Sequence, residues 1–136
     1  MAIDYGDAHT GIAVSDPTGF LAGFTTVITA YRPETVAQQV AALAKEHGAE
    51  ELVLGHPKNM DGTRGPRAEK AEAMAELLKE ATGLPVVLWD ERRTTIDAHQ
   101  ILMSGGKNAK KRKKVVDAVA ASLILEGYLT YKKSHP

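Results

Sequence analysis

The chain has 136 residues, 17 of them basic and 17 acidic, so its formal net charge is zero. That length predicts one domain spanning residues 1–136, large enough to bury a core without covalent staples. An apolar content of 43% with no cysteine argues against a disordered chain and excludes disulfides, thiol nucleophiles and cysteine-bound metals. No apolar run approaches the roughly 20 residues that span a bilayer, and Asp4 interrupts any signal-peptide start. The expectation is a cytoplasmic protein with no membrane partner.

In chain order, Ala2–Tyr5 reads as a short first strand. Thr10–Ser15 alternates, with Ile12 and Val14 on one face, and Phe24–Thr29 is β-branched and aromatic, so both read as strands. Asp16-Pro17-Thr18-Gly19 between them is turn chemistry, which predicts an antiparallel meander. The period then becomes helical. Pro33 and Glu34 open a helix with Val36, Val40, Leu43 and Ala44 on one face, ended by Gly48. Leu52-Val53-Leu54 has the continuous apolar pattern of a strand buried on both sides. A loop follows from His56 to Gly65, then a helix from Pro66 with Ala71, Met74, Ala75 and Leu78 inward, ended by Gly83 and Pro85. Val86–Trp89 reads as another buried strand. Thr94 with Asp97 resembles a capping box for a helix that ends at Gly105-Gly106. A last helix runs from about Lys111 to Tyr131. Five strands in the order β-β-β-α-β-α-β-α-α predict an α/β domain with a mixed sheet.

The zero net charge hides a one-sided distribution. Lys107, Lys110, Lys111, Arg112, Lys113 and Lys114 fall within eight positions, and no acid occurs between Ala98 and Val116. Without those six, 11 basic face 17 acidic residues. A basic run by itself is usually a solvated loop, but beside a phosphate-handling site it is a contact surface for nucleic acid.

Open α/β sheets carry their sites beyond the carboxyl ends of the strands. Asp4 lies in the first strand, with Asp90 and Glu91 just past Trp89 at the end of the last. On the final helix, Val116, Val119, Ala120 and Leu123 predict the buried face, with Asp117 at its border in line with Ala121, Ile124 and Tyr128. A carboxylate there is costly to desolvate unless a cation meets it. Three carboxylates with no cysteine and no histidine pair at ligand spacing suit Mg²⁺ or Mn²⁺. A pair of such ions about 3.5–4 Å apart supports in-line phosphodiester hydrolysis. If the Leu52–Leu54 strand lies between the first and last strands, these are about 9.6 Å apart. Glu91 is then favoured over Asp90 to reach back toward Asp4.

The sequence resembles the YqgF (RuvX) family of nucleases. The likeness runs through Asp4-Tyr5-Gly6, Gly11–Asp16, Gly55–Thr63, Gly65–Glu69, Asp90–Thr95 and Lys113–Asp117, with Ala120-Ala121 and Leu123-Ile124-Leu125 beyond. It implies a ribonuclease H-like fold and metal-dependent cleavage of phosphodiester bonds by an endonuclease. The implied roles are processing of the 5′ end of pre-16S ribosomal RNA or, alternatively, resolution of Holliday junctions. Asp4, Glu91 and Asp117 become the catalytic, metal-binding acids, and Arg92, Lys113 and Lys114 match the family's basic positions. Where relatives often carry basic residues, this chain has Ala8 and His9.

Arg64 and Arg67, at the start of the second helix, oppose its dipole and so fit an anionic partner. With Lys110, Lys111 and Arg112 they complete the predicted contacts to structured RNA or branched DNA. His56 is read as structural, Asn59, Asp61 and Thr63 as a loop held by side-chain-to-backbone bonds, and Trp89 as core rather than a stacking platform. A non-catalytic RNA-binding assembly factor is the alternative from another class. An actin-like ATPase is disfavoured, because a nucleotide clamp needs a duplicated domain.

Overall fold

A computed structural model describes residues 1–16, 22–57, 61–63, 65–90 and 109–134, with side chains in the last stretch described from 118 to 133. The strands are β1 (Ala2–Asp4), β2 (His9–Ser15), β3 (Ala22–Thr29), β4 (Leu52–His56) and β5 (Val86–Asp90). The helices are α1 (Pro33–His47), α2 (Pro66–Thr82) and α3 (Ala109–Ser134). The strands form one mixed sheet in the order β3-β2-β1-β4-β5. β1, β2 and β3 pair antiparallel, as the turn chemistry predicts, while β4 runs parallel to both β1 and β5. β4 therefore separates β1 from β5, which is the two-strand spacing anticipated for the acids.

Alternation along each strand divides the sheet into two unlike faces. Met1, Ile3, Ile12, Val14, Ile28, Leu52 and Leu54 pack with Val36, Val40 and Ala44 of α1 and Met74, Ala75 and Leu78 of α2. Ala2, Ala13 and Val53 face Ala121, Ile124, Leu125 and Tyr128 of α3. Both short helices begin on proline and end at a glycine in the left-handed region, Gly48 at φ 65° and Gly83 at φ 69°. Such glycines stop a helix sharply without a Cβ penalty.

Three expectations are corrected. β4 does not end at Leu54; it continues through Gly55 and His56, because these pair with Trp89 and Asp90. β5 is not buried on both sides: it is the end strand of the sheet, and Leu88 is 40% exposed. The third correction concerns α3, which begins at Ala109 and buries Ala120, Ala121, Ile124, Leu125 and Tyr128. Val119 and Leu123 are only half buried. The 121–124–128 line is thus the middle of the buried stripe rather than its border, and position 117, one turn before Ala121, lies on that same line. The helix predicted after Thr94 falls outside the described residues.

Candidate active site

The candidate site begins at Asp4, the last residue of β1. Period-two alternation puts Asp4 on the face of Ala2, toward α3. Its partner on β2 is Gly11. On the other side Ile3 pairs with Leu54, so the next residue of β4, Gly55, lies beside Asp4. Gly11 pairs in turn with Val27, and Gly55 with Trp89. The row across this face reads Val27, Gly11, Asp4, Gly55, Trp89. The acid is half exposed, and neither immediate neighbour has a side chain to cover it.

The turn after Asp4 is equally constrained. A Cβ added at Gly6 would collide with the backbone carbonyl of His9. Only glycine lets the chain reverse so tightly at the rim of the site. Just beyond it, burial pushes the Tyr5 hydroxyl above its ordinary pKa, with the negative charge of Asp7 adding to the effect. Asp7 is in turn 3.0 Å from Lys70 Nζ of α2.

Helix α3 approaches from above. Tyr128 donates a hydrogen bond to the Glu51 carboxylate, and Lys132 Nζ lies 3.2 Å from Glu51 Oε1. These contacts hold the C-terminal part of α3 at the beginning of β4. The helix therefore runs back against the strands, and its N-terminal turns head toward the sheet end that carries Asp4. Those turns bear Lys110, Lys111, Arg112, Lys113, Lys114 and Asp117, whose side chains lie outside the described residues. Arg67 is exposed in the first turn of α2. Glu91, Arg64 and Arg92 lie outside the described residues.

Asp90 belongs to the other face. It alternates with Val86 and Leu88, and Val86 packs against the α1/α2 cluster, so it stands on the opposite side of the sheet from Asp4. His56 also turns to that side. It is 9% exposed, and its Nε2 is 2.9 Å from Glu72 Oε2 of α2. This is the structural role expected of it. The Thr63 amide and hydroxyl both donate to Asp61 Oδ1, at 2.9 and 2.6 Å, which is the side-chain-held loop the sequence predicts. Asn59 lies outside the described residues.

Sequence reasoning assigned no role to His9. Alternation with Gly11 and Ala13 puts it on the Asp4 face, and its Nδ1 is 3.3 Å from Thr29 Oγ1. The signal was there in the period of β2, since Ile12 and Val14 fix the inward set and leave His9 on the other face.

Of the described donors on this face, Asp4 is of the oxygen type that a hard cation takes. Asp4 offers carboxylate oxygen, the chain has no cysteine, and His56 is engaged on the far side. Among the described residues no three histidines or acids gather around one point; the Glu91 and Asp117 side chains are not among them.

The same arrangement of strands and helices occurs in RuvC of Thermus thermophilus. A structure titled "T. thermophilus RuvC in complex with Holliday junction substrate" aligns with a TM-score of 0.63 at 16% identity, covering 98% of this chain and 94% of that one. A second, "Thermus thermophilus RuvC structure", gives 0.59 at 13%, covering 97% and 94%. These establish the ribonuclease H-like fold. The family model described as "RuvX: Holliday junction resolvase" matches residues 1–131. The chain belongs to the YqgF (RuvX) family. Membership in YqgF (RuvX) puts it among hydrolases that act on nucleic acid. Its relatives within the family include proteins of Halothermothrix orenii, 43% identical over 97% of this chain and 94% of the relative. Those of Carboxydothermus hydrogenoformans (42%, 99% and 98%) and Geobacillus kaustophilus (43%, 98% and 98%) are equally similar. All three carry the name "Putative pre-16S rRNA nuclease".

Proposed function

We propose that this RuvX-family chain is a metal-dependent endonuclease that processes the 5′ end of pre-16S ribosomal RNA in the cytoplasm. The observation that carries the reading is Asp4. It ends the central strand between two glycines, beneath the helix whose sheet-facing line includes position 117. Asp4, Glu91 and Asp117 would hold Mg²⁺ or Mn²⁺, which supplies a Lewis acid for phosphate oxygen and lowers the pKa of water. The carboxylates orient the reacting groups, and Gly11 and Gly55 leave room beside Asp4 for a phosphate. Lys110–Lys114, Arg92, Arg64 and Arg67 neutralise the flanking phosphates and hold the backbone in register. Of the described helices, none is long and apolar enough to cross a membrane.

The family description supplies a second reading, Holliday-junction resolution, by the same residues on branched DNA. One experiment separates the two. Wild-type protein and Asp4→Asn are incubated with a precursor 16S rRNA fragment and with a four-way DNA junction, in Mg²⁺ and in Mn²⁺. The expected result is cleavage of the RNA, lowered about a hundredfold or more in Asp4→Asn, since even residues that merely support metal ligands cost roughly 10–100-fold. Equal cleavage by both proteins would overturn the catalytic reading. Junction cleavage without RNA cleavage would replace the substrate. RNA binding that survives in Asp4→Asn but is lost on neutralising Lys110–Lys114, with no cleavage by either protein, would make the chain an assembly factor.

A further inference from the structure

Of the described aromatic residues, Tyr31 is the most exposed, at 78%. It lies on the turn between β3 and α1. The other described rings are engaged: Phe24 stacks on His47, and Trp89 lies edge-on to Tyr128 and Tyr131. Tyr5 packs against the aliphatic cluster. Among the described residues, Tyr31 touches no other ring. Exposure alone is ordinary for a single apolar residue. Its mounting is more telling. The Ala30 amide donates to the Ala8 carbonyl at 3.0 Å, and the Val36 amide donates to the Arg32 carbonyl at 3.1 Å. Pro33, at the start of α1, holds Arg32 extended, at φ −90° and ψ 128°. Both sides of the tyrosine are therefore pinned, and its ring is held out on a braced corner.

That corner is at the Asp4 end of the sheet. Gly11, beside Asp4, pairs with Val27, and His9 pairs with Thr29 two residues nearer the rim. Two strand spacings and two residues of rise put the Thr29 Cα about 12 Å from that of Asp4. Tyr31 follows two residues later, at most about 7 Å further. Next to it, Arg32 is exposed and makes no ion pair among the described residues. A guanidinium beside an exposed phenol ring offers a cation for phosphate and a flat surface for a base. Resting on the nucleic-acid reading above, we infer that Tyr31, with Arg32, is a stacking platform for an unpaired base of the strand bound at Asp4. In a continuous duplex each base face is covered by its neighbours, so a ring engages only a base that has left the stack. Every base has such a face, and the platform therefore selects unpaired structure rather than sequence. The preferred substrate is single-stranded within a few nucleotides of the cleaved bond.

The test measures, with divalent metal chelated so that nothing is cut, the binding of a fluorescein-labelled single-stranded RNA and of the same RNA in a duplex. Matching DNA strands form a second pair of probes. The proteins are the wild type, Tyr31→Ala, Tyr31→Phe, Arg32→Ala and, as a control, Tyr131→Ala, which removes another exposed tyrosine. All four variants change exposed side chains and should melt with the wild type. Tyr31→Ala should weaken single-strand binding about tenfold, within the range for losing one base–aromatic stack, and leave duplex binding unchanged. Tyr31→Phe keeps the ring and should bind as the wild type does, as should Tyr131→Ala. Arg32→Ala should lower the slope of log affinity against log salt by about one. A 2-aminopurine walked along the single strand should find a position whose emission the wild type quenches and Tyr31→Ala does not. A Tyr31 dependence confined to DNA supports the platform and moves the substrate to branched DNA. Equal single-strand affinity of Tyr31→Ala and the wild type overturns the platform, and so does an equal loss for duplex and single strand. If binding is still abolished by neutralising Lys110–Lys114, the nucleic-acid reading survives that failure. Wild-type protein that binds none of the four probes overturns both.

Discussion

The two faces of the sheet are built on different rules. The α1/α2 face is filled by large aliphatic residues, with Ile3, Ile12, Leu52, Leu54, Met74 and Leu78 fully buried. The α3 face is made of small residues in its middle, Ala2, Ala13 and Ala121, with Gly11 and Gly55 beside Asp4. Polar and aromatic contacts hold its far end: Glu51 with Tyr128 and Lys132, and Trp89 edge-on to Tyr128 and Tyr131. Bulk on one side supplies burial, which is roughly proportional to area. Small residues on the other let a helix lie close to the strands and leave room around an acid. On the proposed reading, stability and chemistry fall on opposite sides of one sheet.

The comparison can be broken most severely at Leu54. Leu54→Ala removes a fully buried side chain from the aliphatic face and should cost about 2–5 kcal/mol in urea denaturation. If the faces divide the work as described, the remaining folded protein keeps wild-type cleavage. A loss of activity in the folded fraction would show that the two faces are coupled.

A smaller effect belongs to the clamp at Glu51. Burial, the hydrogen bond to Glu51 and that residue's negative charge push the Tyr128 hydroxyl up to about 12, from an ordinary value near 10. A raised pKa means the folded state keeps its proton longer than the unfolded state does. The stabilisation is therefore complete below pH 10 and is lost as pH rises through the window from 10 to about 12. Urea midpoints taken across that window should fall for the wild type and fall less steeply for Tyr128→Phe. Equal slopes would remove Tyr128 from the clamp.

The smallest effect should be a gain. Thr10 alternates with Ile12 on the aliphatic face, is 0% exposed, and its hydroxyl has no hydrogen-bond partner among the described residues. A buried polar group left unsatisfied is costly, so Thr10→Val should stabilise the fold by about 1 kcal/mol. A loss of stability instead would mean the hydroxyl has a role that the aliphatic character of that face does not predict.

Much of this was legible in the chain itself. Pro33 and Gly48, Pro66 and Gly83 marked both short helices, because their backbone preferences are local. The inward sets Val36, Val40 and Ala44, then Ala71, Met74, Ala75 and Leu78, followed from a clean helical period. Asp4 stood out as an acid in an apolar strand. The last helix was harder. Between Val115 and Leu129 apolar residues occur on nearly every side, so periodicity leaves its rotation open. Seating against Ala2 and Ala13 selected Ala121, Ile124 and Tyr128 in place of Val119 and Leu123. Val86–Trp89 misled for a related reason. Continuous apolar sequence signals a strand with two covered sides, yet this strand ends the sheet and leaves Leu88 half exposed.

By itself, then, the sequence determined the element order, the helix ends, the meander and the acids worth considering, since each rests on backbone preference or on neighbours within a few residues. Tertiary structure decided which sides of the sheet Asp4 and Asp90 occupy, the rotation of the last helix, and the packing of Trp89 against Tyr128 and Tyr131. Those depend on register between strands and on fit between surfaces far apart in the chain. The opposing charges that sum to zero were visible from the start. That the basic stretch lies in the N-terminal turns of the helix directed toward Asp4 is a property of the fold, because the contacts of Glu51 with Tyr128 and Lys132 set which way that helix runs.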